Sequence, residues 1–117
     1  MRRLALLLGL LLATAASDPV KAAQSIVGRW GVTPAECDTT AAFGVSPQAI
    51  STDDMGCDLP GVSRIGDVVT FKGRCTNAGE RSAKETVVAT LRPDGKLDLA
   101  FLTGGGRYKG LVRCRGR

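Results

Sequence analysis

Apolar residues are distributed along this chain in two different ways. From Leu4 to Ala13 they form a run interrupted only by Gly9. Beyond residue 22 they come in short stretches that alternate with polar residues and stop at glycine, proline, asparagine or aspartate. Alternation with period two marks a strand with one buried face, and the punctuation marks turns. The clearest case is residues 96–102, where Leu97, Leu99 and Phe101 alternate with Asp98 and Ala100. Pro93-Asp94-Gly95 joins it to residues 86–91, and a hairpin is expected because proline presets φ and glycine accepts the left-handed conformation. A second hairpin is expected from residues 62–65 and 68–76 about Gly66-Asp67.

Residues 26–33 read as a first strand that stops at Thr33-Pro34, since proline restricts its predecessor and donates nothing to a ladder. Residues 34–48 read as irregular with one short helical turn over 34–38, and residues 49–52 as a brief strand. Asn77-Ala78-Gly79 and Gly104-Gly105-Gly106 read as turns. Residues 108–114 form a last strand, with Tyr108, Gly110 and Val112 on one side and Lys109, Leu111 and Arg113 on the other. About six to eight strands and no longer helix predict an all-β fold, a small antiparallel meander that closes into a barrel or a sandwich. Closure removes exposed strand edges.

The continuous run has a different meaning. Arg2 and Arg3 precede it and the small residues Ala13, Ala15, Ala16 and Ser17 follow, which is the layout of a cleavable export signal. It falls short of the roughly 20 apolar residues of a membrane span, so an integral membrane protein is not expected. Cleavage after Ala15, Ala16 or Ala22 fits the small-residue pattern. The boundary is drawn at Ala22, with a signal peptide over 1–22 and one secreted or periplasmic β domain over 23–117. Cys37, Cys57, Cys75 and Cys114 all fall in that domain. An even number of cysteines in an oxidising compartment predicts disulfides, and the wide gaps lack the close C-x2-4-C pairs of structural zinc sites. Of the three possible connectivities, barrel closure favours Cys37–Cys114, which brings the first and last strands together, and Cys57–Cys75, nearly symmetric about the Gly66-Asp67 turn.

Without residues 1–22 the domain keeps 13 basic and 10 acidic side chains, a net +3. Five acids lie between Glu36 and Asp58 with no base among them, whereas Arg107, Lys109, Arg113, Arg115 and Arg117 close the chain without an acid. Arg113, Arg115 and Arg117 share one side of an extended strand and form a candidate anion-binding stripe; a solubilising edge is the plainer account. With few aromatic residues for base stacking, nucleic acid is not an expected partner. The chain contains no histidine, which excludes Ser-His and Cys-His catalysis and histidine-held zinc. Asp53 and Asp54, adjacent in sequence, are poorly placed to act together on a substrate. The stretch from Asp53 to Asp58 lacks the spacing of a calcium loop, and Gly104-Gly105-Gly106-Arg107 lacks the helix that a phosphate loop needs. No enzymatic activity, metal or cofactor is expected.

Gly28-Arg29-Trp30 resembles the Gly-x-Trp that opens the first strand of lipocalin-like barrels. That resemblance implies that Trp30 closes one barrel end beneath a late-strand arginine, Arg113 or Arg115. The same opening with a cysteine soon after is similar to small periplasmic metalloprotease inhibitors, whose mature N-terminal segment, Ala23 to Ile26 here, reaches into a protease cleft. The opening, the four scattered cysteines and the Arg-Cys ending together resemble small uncharacterised exported proteins of Gram-negative bacteria. The reading is a monomeric binding or inhibitory module directed at an unidentified ligand or protein. The alternative is an envelope-associated protein that holds an anionic component through its basic last strand.

Overall fold

The computed structural model describes residues 18–115. Eight strands form a closed barrel in which each pairs antiparallel with its neighbours in sequence and β1 meets β8. They are β1 (Gly28–Gly31), β2 (Phe43–Ser46), β3 (Ala49–Ser51), β4 (Met55–Ile65), β5 (Val68–Asn77), β6 (Ala83–Leu91), β7 (Leu97–Phe101) and β8 (Gly106–Arg113). The meander and the two hairpins about Gly66-Asp67 and Pro93-Asp94-Gly95 are as the alternation predicts, and the barrel, rather than the sandwich, is the form closure takes. Disulfides join Cys37 to Cys114 and Cys57 to Cys75; the second links directly opposite residues of β4 and β5.

Every second residue faces the axis, so period two becomes a radial core. Phe71, Ile50, Leu59, Leu97, Leu99, Leu111, Val69 and Val87 are fully buried there, each contributing on the order of 1.5–3 kcal/mol of hydrophobic stabilisation. Two irregularities adjust the register. β4 shifts against β5 between Asp58 and Gly61, where Gly73 lies so close to the Asp58 carbonyl oxygen and Leu59 Cα that a Cβ has no space. β8 slips against β7 between Leu97 and Leu99, where Gly110 takes φ +69°. One extra residue in β8 lets both Tyr108 and Leu111 turn inward, correcting the expected simple alternation of residues 108–114.

Three further elements differ from expectation. Phe43–Ser46 is a strand, not irregular chain, and β4 reaches back to Met55 through Pro60. The first strand is confined to Gly28–Gly31 because the chain before it is helical: α1 (Pro19–Ala23) is followed by a 3-10 turn at Gln24–Ile26. The Asp18 carboxylate caps α1 by accepting from Val20 N at 3.0 Å, and proline opens the helix where a missing N–H costs nothing. Ala22, Ala23 and Ile26 are buried in the core. The packed residues thus include Ala22 and Ala23, and the boundary expected after Ala22 falls inside α1; residues 1–17, the rest of the expected signal peptide, lie outside the described residues. No helix among the described residues is long and apolar enough to cross a membrane.

Candidate functional site

The direction of the strands makes the two barrel ends unlike. The turns at 47–48, 66–67 and 92–96 and the N-terminal helix gather at one end; the connections at 52–54, 78–82 and 102–105 gather at the other. At the first end Trp30 is completely buried, its indole N–H donating to the Ile26 carbonyl at 2.9 Å. The Arg113 guanidinium lies 4.3 Å from the Trp30 ring centroid and donates to the Ser25 carbonyl at 2.7 Å and the Val27 carbonyl at 3.3 Å. Arg64 adds a 2.9 Å bond to Ser25 Oγ. Tryptophan, arginine and the N-terminal turn thus stopper this end.

The opposite end is open. A cavity of about 260 Å³ enters the barrel there. Phe43, the first residue of β2, Phe101, the last of β7, and Tyr108 of β8 form its aromatic side: the Phe43 and Tyr108 rings meet edge-on at 4.9 Å, and Phe101 lies 6.1 Å from Phe43 and 6.0 Å from Tyr108. Half-buried Met55 stands at the start of β4, its Sδ 3.4 Å from Cys57 Sγ, and Cys75 of that disulfide also lines the cavity. The polar side consists of Thr52, Asp54, Asn77 and Glu85. Other hollows lie along the outer wall, among them one beside Leu102 and Arg107 and one beside Cys37 and Arg115.

Glu85 is the one buried charged residue among those described, at 7% exposure. The alternation of β6 turns it inward with Val87 and Ala89. Its carboxylate accepts from Thr86 N at 2.8 Å, Thr103 N at 2.7 Å and Gly104 N at 3.1 Å, fastening the β7–β8 loop across the mouth. Burial alone pushes this carboxyl up; the N–H groups of Thr103, Gly104 and Thr86, with a bond to the Thr103 side chain, outweigh it and hold it below its ordinary 4.5. Tyr108 O–H donates to the Gly105 carbonyl at 3.2 Å and pins the same loop.

The sequence-nominated residues distribute unevenly over these ends. Trp30 and Arg113 meet at the closed end. Arg113 is engaged there and is not one of a free stripe: Arg115 lies exposed past the end of β8, and Arg117 is outside the described residues. Ala23 and Ile26 are wholly buried, so Ala23 to Ile26 is part of the stopper rather than a projecting arm. Asp53 and Asp54 accept from Thr40 and Thr52 hydroxyls, and no group of three or more acids or cysteines among the described residues is gathered to hold a metal ion. The Gly104 amide is turned onto Glu85. Phe43, Met55, Glu85 and Tyr108 were not nominated from the sequence; Glu85 carries a legible signal, since a charge in phase with Val87 and Ala89 must face inward. Comparison with protein-family models, with curated proteins and with solved structures finds no match to this chain.

Proposed function

We propose that this chain is an exported binding barrel that takes a small molecule at its open mouth. The observation that carries this reading is the cavity among Phe43, Met55, Phe101 and Tyr108, walled by Asp54 and Glu85. An eight-stranded barrel is just wide enough for side chains to fill; here buried side chains pack the axis, and a cavity opens at that end. A concave apolar surface with a few placed polar groups is the usual form of a ligand site, and a cavity of about 150 Å³ already holds benzene. The Trp30–Arg113 stopper matches what the Gly-x-Trp resemblance implies and supports a one-ended cup. Two disulfides suit an oxidising compartment, and because α1 packs into the barrel we place leader cleavage ahead of Asp18, after Ala15 or Ala16. Retention of anionic surface groups by the last strand has less support, because Arg113 is occupied.

The test is a screen of small fragments by saturation-transfer NMR, repeated on Asn77→Trp, which fills the mouth from its exposed rim. Fragments that compete for one site and lose binding in the variant support the reading. An absence of hits, or hits indifferent to Asn77→Trp, overturns it.

A further inference from the structure

Resting on that reading, the geometry points to the chemical class of the ligand: a small organic cation, an ammonium group with an apolar body, seated between the aromatic residues and the two carboxylates of the mouth. The first observation is an imbalance of charge. Buried charges are ordinarily paired, yet the groups that fasten Glu85 are uncharged: the backbone N–H groups of Thr86, Thr103 and Gly104 and the Thr103 side chain. The ion pairs Arg64–Asp67, Arg92–Asp94 and Arg92–Asp98 lie in or beside turns at the closed end. Asp54 adds a second carboxylate to the cavity, and among the described residues no lysine or arginine lines it.

The second observation is independent of charge. Phe43, Phe101 and Tyr108 all contribute to the cavity wall, and aromatic rings present negative faces that attract a desolvated cation. Glu85 Oε2 accepts from Gly104 N, and the carboxylate stands in the cavity wall. An anionic ligand meets two carboxylates and no donor side chain except Thr52, Asn77 and Tyr108, whose hydroxyl is already directed to Gly105. A bare metal ion is served poorly: calcium takes six to eight oxygens, whereas Phe43, Met55, Phe101 and Tyr108 take up much of the lining. A compact ammonium satisfies both sides, its charge toward Asp54 and Glu85 and its alkyl groups against the rings.

The experiment is calorimetric titration of the purified protein with choline and, separately, with 3,3-dimethylbutan-1-ol, its uncharged carbon isostere, at low ionic strength, with benzyl alcohol as a neutral aromatic control. Choline is expected to bind saturably and about tenfold or more tightly than the isostere. Asp54→Asn, a change at an exposed side chain, should narrow that gap several-fold while the isostere's affinity is unchanged. Equal affinity for choline and the isostere overturns the cation inference and leaves the cavity reading standing, as does binding of benzyl alcohol alone. If none of the three binds, both fall.

Discussion

The weakest part of the barrel is the seam where its ends meet, and removing the Cys37–Cys114 disulfide tests that directly. β1 and β8 share only the register pairs Trp30↔Arg113 and Gly31↔Val112, supplemented by Cys114 N donating to the Arg29 carbonyl at 2.9 Å; β4 and β5 pair along nearly their whole length. The two disulfides therefore do different jobs. In the chain-entropy account, a link spanning 77 residues stabilises by about 4.5 kcal/mol and one spanning 18 by about 3 kcal/mol. The outer one in addition holds the seam. Cys37→Ser with Cys114→Ser should lower the urea-extrapolated stability by about 4.5 kcal/mol, and amide exchange at Gly31, Val112 and Cys114 should accelerate beyond the global change. Cys57→Ser with Cys75→Ser should cost about 3 kcal/mol and leave those amides in step with the rest. A larger loss from the inner pair, or seam amides that follow global unfolding in both variants, refutes the reasoning.

Arg113→Gln removes the guanidinium over Trp30 and two carbonyl bonds; stability should fall by about 1–2 kcal/mol with a red shift of Trp30 emission, whereas Arg115→Gln should change neither. Gly104 and Gly105 form a matched pair: a Cβ at Gly105 meets Phe101 Cβ at 2.5 Å and Cγ at 2.7 Å, and one at Gly104 meets nothing within 4 Å, so Gly105→Ala should shift Phe101 and Tyr108 side-chain resonances and weaken fragment binding while Gly104→Ala does not. Glu85, with its folded-state carboxyl held below 4.5, contributes stability that is whole above that ordinary value and is lost as pH falls from there through the depressed one. Urea midpoints measured across that interval should therefore converge between the wild type and Glu85→Gln on acidification.

Where local chemistry determines the outcome, the sequence alone was sufficient. Leu97, Leu99 and Phe101 declare their strand by alternation, and Pro93-Asp94-Gly95 its turn. The Cys57–Cys75 pairing follows from near-symmetry about Gly66-Asp67, although a register shift intervenes at Asp58 to Gly61. Short elements were less legible. Phe43–Ser46 offers four residues of alternation broken by Gly44, too few to stand out from the irregular chain before it. Pro19–Ala23 has a helix-start signal in Asp18-Pro19, but its small apolar residues also suit the end of a leader, and only packing against the barrel distinguishes the two. The mouth was the least legible, because it is assembled from strand ends far apart in the chain. Glu85 is legible as inward-facing from its phase in β6, whereas its partners, Thr103 and Gly104, come from a loop 18 and 19 residues away. Tyr108 and Leu111 both face inward because of the slip at Gly110, which no period-two pattern contains.

The central claim is a barrel with one stoppered end and one ligand-accepting end. Its most direct test is chemical-shift mapping of the isotopically labelled protein during titration with benzyl alcohol, a neutral probe independent of the cation question. The account predicts saturable shifts at the Met55 methyl, at the Thr103 and Gly104 amides and at the Tyr108 ring, with Ser25, the Trp30 indole and Arg113 unmoved. Shifts centred on Trp30 and Arg113, or shifts that rise without saturating and favour no end, contradict it.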